Sequence, residues 1–333
     1  LRIDSRADSR EGARYEFSNM KLFQRAFVLP QHSKISYFLL PMKISDIAEL
    51  LLLAALWGGS FLFMRIASPV LGPVWLIELR VLLAGLTLLP VLMRLGLLPE
   101  LRHFWFPLVI VGCINSAAPF VLLAFASLVL PAGFTAILNA TAPLFGTIVA
   151  LVWLKEQPTG QRILGFVLGF SGVVVLIGWR SFTATPSFFI AVGAGLLAAL
   201  MYAIAAPYAK QQLSGVPSLV VTTGSQLSAA IVLLPIMPFT LPSQTPTITI
   251  ILSVLALALF STALAYILYF RLIHRIGSTK ALTVTYLIPL FALVWGAIVL
   301  SEPITLSALL GCGLILIGTA IANDIFRQKK PIH

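Results

Sequence analysis

"TAPLFGTIVALVWLKEQPT", Thr141 to Thr159, sets a proline inside a long apolar run and closes it with a charged turn. The chain repeats itself further on with "LIPLFALVWGAIVLSEPIT", Leu287 to Thr305. Laid end to end, the two stretches agree at Pro143/Pro289, Leu144/Leu290, Phe145/Phe291, Leu154/Leu300, Glu156/Glu302 and Thr159/Thr305, six of nineteen positions. The same offset continues through Gly165/Gly311 and Gly172/Gly318. Agreement held in register over that length points to an internal duplication, beyond what shared apolar composition supplies. The copies differ at the turn itself, where Glu302 is followed directly by Pro303 while Gln157 separates Glu156 from Pro158.

The rest of the composition says which solvent this segment meets. Of 333 residues 59% are hydrophobic and 10% charged, and the mean hydropathy is +1.01. A soluble fold cannot hide that much apolar surface, so the chain reads as all-α and polytopic, with the bilayer as solvent. The net charge of +11 comes from 22 Lys and Arg that sit singly at the ends of apolar runs or within the first 43 residues. That is the distribution of topology signals, and it argues against a nucleic-acid partner. Cys113 and Cys312 both lie in apolar runs with no CxxC partner, which excludes a disulfide scaffold and a zinc site.

Residues 1–45 form a polar tail. We expect most of it to lie outside the native product, with Met42 opening "MKISDIAELLLLAALWGG"; a short cytoplasmic tail and a presequence around "KLFQRAFVLPQHSK" are the alternatives. From Asp46 onward, apolar runs are punctuated every 20 to 30 residues. Crossing about 30 Å of hydrocarbon takes about 20 helical residues, so ten spans are expected. They fall near 46–66, 74–93, 104–126, 131–153, 161–179, 187–209, 217–238, 248–272, 278–300 and 304–324, followed by a basic tail at 325–333. Two uncharged stretches hold two crossings each, broken at "SLVLPAG" and "PIMPFTLPSQTP". With the N-terminus inside, the cytoplasmic connections carry Arg94, Arg102, Lys155, Arg162, Lys210, Arg271, Arg275 and Lys280, and the opposite ones little beyond Arg65 and Arg180. Both termini are therefore expected to be cytoplasmic.

Residues 46–179 and 187–324 then form two halves of five spans. An odd number per half makes the second enter the membrane from the opposite side, the inverted plan common among secondary transporters. The doubled pattern resembles the EamA-type branch of the drug/metabolite transporter superfamily. So do "LWGGSFLFMRIA", "ELRVLLAGLTLLP" and "STALAYILYFRLIHRIGSTKALTVTYLIPLF", and the resemblance runs from Asp46 to Asn323. It implies ten helices in two inverted repeats and the movement of small metabolites, often outward across a bacterial inner membrane. It implies no single substrate, since members carry amino acids, phosphorylated or nucleotide-linked sugars, and drugs, and it maps no coupling-ion residue.

Candidate site residues follow from the cost of polar groups in lipid. Asn115, Asn139, Thr141 and Gln226 lie well inside their runs, serving either a substrate or interhelical hydrogen bonds worth about 0.6 kcal/mol each. Trp57, Tyr202, Tyr266 and Tyr286 supply flat rings, three of them with hydroxyls and two, Trp57 and Tyr266, beside small residues, suited to a pocket for apolar or mixed substrates. Pro143 and Pro289 are expected to kink their spans and act as midplane hinges. Glu78 and Arg80 open the second span and Arg65 closes the first, which predicts an ion pair of Glu78 with one of these arginines, or snorkelling. Glu156 and Glu302 are expected to cap the helices that directly follow them. GxxxG spacing at Gly165 and Gly169 serves either a homodimer or packing within the chain. A catalytic apparatus is not expected: His32, His103, His274 and His333 are scattered, and HExxH, GxSxG and GxxxxGK[ST] are absent, which disfavours a lipid-modifying enzyme and an ATP-driven pump and calls for no cofactor or metal.

Overall fold

The structure is a computed structural model that describes residues 42–155, 157, 159–178, 185–242 and 244–323. Both tails, Glu156, Pro158 and Arg180 lie outside the described residues. The expected spans are all helical: α1 (Ile44–Leu71), α2 (Pro73–Arg94), α3 (Trp105–Ala126), α4 (Ala132–Val152), α5 (Gly160–Gly178), α6 (Pro186–Gln212), α7 (Ser218–Phe239), α8 (Ile248–Ile276), α9 (Val284–Leu300) and α10 (Leu306–Ala322). No strand occurs among the described residues. The first eight helices are long and apolar enough to cross a bilayer. The last two are apolar but shorter, at 17 residues each. At 1.5 Å per residue each of them covers about 26 Å, a few ångströms under the hydrocarbon thickness.

The repeated segment shows its purpose at its last residue. Thr159 accepts a hydrogen bond from the Arg162 N–H at 3.3 Å, and Thr305 from the Ala308 N–H at 3.2 Å, so each hydroxyl caps the helix that follows. The prolines do not behave alike. Helix α4 is interrupted at Ala140 and Thr141, with Pro143 in the first turn of its second segment, whereas α9 runs unbroken through Pro289. Proline removes an N–H and crowds the carbonyl one turn back. In α4 the Thr141 hydroxyl also donates to the Leu138 carbonyl at 2.6 Å, which supports the break. Two more irregularities fall at matching places, a π-helical stretch at Gly112–Ala117 in α3 and another at Ala256–Leu264 in α8.

Glycines bring α5 and α10 into contact. A Cβ on Gly165 would stand 2.5 Å from the Gly318 carbonyl oxygen, and one on Gly172 would stand 2.8 Å from that of Gly311. The GxxxG face is therefore occupied within the chain. Gly313, on α10 as well, has open space beside it. Outward-facing Leu164, Val167, Val174, Ile231 and Ile298 are exposed, as an apolar surface facing acyl chains would be.

Charges close the two ends of the bundle. At the start of α1, Asp46 and Glu49 are buried against the end of α8: Arg271 Nε lies 2.6 Å from Glu49, and Arg275 Nη1 reaches Asp46 at 3.0 Å and Glu49 at 2.9 Å. These two arginines are thus bound as counter-ions to buried carboxylates. At the other end, Arg65 Nη1 donates to the carbonyls of Ser127 and Leu128 in the α3–α4 turn, at 2.8 and 2.9 Å, and its Nε lies 3.6 Å from Glu302.

Replacing Gly165 by Leu should overpack the α5–α10 seam at a cost of about 1–3 kcal/mol, seen as a lower thermal unfolding transition in detergent. Gly313→Leu, on α10 but with open space beside it, should leave that transition unchanged. Equal effects of the two substitutions would contradict the seam.

Candidate functional site

A cavity of about 460 Å³ lies at the centre of the bundle, lined by residues of α1 to α4 and of α6, α8, α9 and α10. It gathers six of the eight residues expected to meet a substrate, namely Trp57, Asn115, Asn139, Tyr202, Tyr266 and Tyr286, together with Pro143 and Pro289. The rings form a connected wall: Trp57 sits 6.2 Å from Tyr266, edge to face, and 5.2 Å from Tyr269. Asn139 and Pro143 reach the cavity because α4 breaks between them, and Asn115 reaches it from the π-helical stretch of α3. Such wide turns recur at functional sites because they redirect side chains inside an otherwise regular helix.

Two expected residues are elsewhere. Thr141 is buried and spends its hydroxyl on the break in α4, outside the lining. Gln226 is fully buried on α7 and donates from Nε2 to Ser116 Oγ at 3.2 Å, so it ties α7 to α3 behind the cavity. Burial of a polar side chain in a span signals both fates alike, and the sequence holds nothing that separates them.

Arg80 is the residue the sequence reading misplaced. It neither pairs with Glu78 nor snorkels; it is 5% exposed and lines the cavity. Its Nε donates to Thr262 Oγ1 at 3.0 Å, and its guanidinium carbon stands 3.7 Å from the centroid of the Phe120 ring. Thr262 is itself held by donating to the Leu257 carbonyl at 2.8 Å, a five-residue reach that belongs to the π-helical stretch of α8. A guanidinium deep in a span costs about 2.5–3.5 kcal/mol. An aromatic face returns about 0.5–2 kcal/mol, and neither it nor a hydroxyl carries a negative charge. Glu78 is buried too, but positions two apart on a helix face opposite ways, and it makes no ion pair among the described residues. Ser60, Asn139 and Thr319 also line the cavity, and Ser60 Oγ, Asn139 Oδ1 and Thr319 Oγ1 are buried with no hydrogen-bond partner among the described residues.

The cavity is unequal at its two ends. It extends past Tyr286, whose hydroxyl accepts from Asn323 at 3.3 Å, to exposed Leu282 in the connection before α9. Toward the other end it stops at Met64, Leu123 and Ala136. Directly beyond them lies the contact made by Arg65 and Glu302. Glu302 does not cap α10, as its position suggested, because Thr305 does. Its carboxylate instead accepts the Ala132 N–H at 2.9 and 3.2 Å, capping α4 from 170 residues away. The turn that aims it there is tight: Ser301 takes φ 55°, and the N–H groups of Ser301 and Glu302 both reach the Gly296 carbonyl. Gly296 lies under the carboxylate, where a Cβ would strike Oε2. Burial pushes the Glu302 carboxyl above the ordinary carboxylate range, while the Ala132 N–H and the charge of Arg65 draw it back down.

The family model described as the EamA-like transporter family matches the chain twice, over residues 47–178 and 189–323. A protein of Archaeoglobus fulgidus named as an uncharacterized transporter is 26% identical over 275 residues, covering 82% of this chain and 96% of its own. The Bacillus subtilis uncharacterized transporter YvbV is 29% identical, with 84% and 91% covered. A protein of Streptantibioticus cattleyicolor named a probable terminal-alkyne amino-acid exporter is 26% identical, with 85% and 95% covered. One crystal structure superposes with a TM-score of 0.59 at 19% identity, over 85% of this chain and 98% of that one, a likeness of fold.

Glu302→Ala should remove a charge-assisted cap worth about 1.5–3 kcal/mol and loosen the closed end. In a chain lacking Cys113 and Cys312, a cysteine at Met64 should then react several-fold faster with a hydrophilic maleimide. Unchanged reactivity would show that this contact does not seal the cavity.

Proposed function

Because the chain belongs to the EamA-like transporter family, we propose that this membrane transporter is a secondary carrier that moves a small organic metabolite by alternating access, working as an exporter. The observation that carries this reading is the central cavity, lined from both halves, extending to one end and stopped at the other by a few polar contacts. A channel would need a path through both ends; a carrier needs one end closed at a time. The Lys and Arg bias of the connections supports a cytoplasmic position for the end bearing Leu282 and for both termini, which we assign to a bacterial inner membrane. A solute then enters from inside and leaves when the contact of Arg65 and Glu302 parts.

We read residues 46–179 and 187–324 as inverted copies. Their capping threonines, π-helical stretches and facing glycines recur at matching positions and support that reading. Rocking of one copy against the other would open the sealed end while the cytoplasmic end closes. The amino-acid exporter among the similar proteins supports outward transport of an amino acid or a comparable metabolite. A drug-like solute is the alternative, favoured by the ring wall of Trp57, Tyr266 and Tyr269.

A metabolite-resistance screen in an overexpressing strain should yield a solute whose flux in proteoliposomes depends on the protein, and repeating the flux with and without a proton gradient decides the coupling. Asn139→Ala and Tyr202→Ala should lower that flux about 10-fold or more in folded protein, by removing polar contacts to solute. Gln226→Ala should lower thermal stability with a smaller effect on flux. A protein that binds solutes but translocates none of a broad panel would sink the reading.

A further inference from the structure

The charge around the cavity is one-sided. Arg80 is the single charged side chain among the described residues that line it. Its Nε is committed to Thr262 and one face of its guanidinium to Phe120. Among the described residues no acceptor meets the remaining N–H groups and no carboxylate pairs with the charge. Asp46 and Glu49 are taken by Arg271 and Arg275, and Glu302 by Arg65 and the Ala132 N–H, while Glu78, buried two positions away on α2, lies on the opposite side of that helix and outside the cavity lining. A guanidinium fixed along one edge presents its two terminal nitrogens as a fork, which matches the two oxygens of a carboxylate.

We propose that Arg80 is the substrate's anchor, and that the solute is an organic monocarboxylate whose apolar or aromatic body lies against the ring wall of Trp57 and Tyr266. Resting on the transport reading above, this adds the chemical class of the solute and the residue that selects it. One cation suits one negative charge; a phosphate ester carries nearly two near neutral pH and would meet no second cation in the lining. Thr262 is the positioning residue, since its hydroxyl holds Nε and is held in turn by the Leu257 carbonyl.

The test uses purified protein in detergent and matched probes: the L-amino acids and a series of aliphatic and aryl monocarboxylates, each beside its carboxamide and its amine, with phenyl phosphate as the competing anion. Binding is read by thermal stabilisation and by tryptophan fluorescence. At least one acid should bind about 10-fold or more tightly than its carboxamide. In Arg80→Gln that ratio should fall to about one, and Arg80→Lys should keep part of it. The wild-type comparison stands whether or not the variants fold. Carboxamides or amines binding as tightly as their acids, phenyl phosphate binding in preference to every acid, no acid binding at all, or full discrimination kept by Arg80→Gln would each overturn the assignment. Flux in proteoliposomes separates the two readings: flux of neutral or cationic solutes alone leaves transport standing and removes the carboxylate anchor, and flux of nothing removes transport itself.

Discussion

Backbone N–H and C=O groups in a bilayer must find partners within the protein, because lipid offers none. That constraint makes every span a helix, and it makes any departure from regular helix informative, since a departure survives only where protein or water covers it. Three departures occur along the cavity. The break in α4 brings Asn139 and Pro143 to the wall, the π-helical stretch of α3 brings Asn115, and the one in α8 sets the hydroxyl of Thr262 on Arg80. The irregular backbone and the polar lining are two views of one arrangement: the helices loosen where the site needs side chains redirected.

The ends of the bundle follow a different rule. There the contacts are few and charge-assisted, between segments far apart in sequence: α1 with α8 at one end, and α1 with the α3–α4 and α9–α10 turns at the other. Contacts of this kind are local and can be exchanged one at a time, whereas the seam of α5 and α10 has no room for a Cβ at Gly165, Gly172, Gly311 or Gly318. Such a division leaves a tightly joined seam and two weakly joined ends. A carrier needs that distribution, because only the ends have to part.

Much of this was legible in the sequence because the bilayer simplifies the code. Apolar length places the spans, and the offset shared by Pro143/Pro289 and Glu156/Glu302 exposes the doubling. Of the aromatic and polar side chains singled out inside spans, Trp57, Asn115, Asn139, Tyr202, Tyr266 and Tyr286 share the lining of the central cavity. What stayed hidden depends on helix rotation and on distant pairing. Thr141 and Gln226 are as polar and as deep as Asn139, but face a helix break and a neighbouring helix. Glu302 seemed bound to cap the helix after it, yet an αL turn at Ser301 aims it at α4. Arg80 sat near enough to a span end to suggest snorkelling, and only the π-helical stretch of α8 places the hydroxyl that holds it inward. A signal existed in Thr159 and Thr305, identical threonines before two helices, which stood in the repeat without an assigned role.

The closed end is the hinge of the functional reading, because a cavity sealed there and reaching the opposite end describes one state of a carrier. The most direct measurement is solute flux in proteoliposomes from a chain with cysteines at Arg65 and Glu302, joined by a short bifunctional thiol reagent and then released by reduction. If the sealed end must part once per cycle, flux falls to background when the two positions are joined and returns on reduction. Full flux through the joined protein would show that solute leaves by another route and contradict alternating access at this contact.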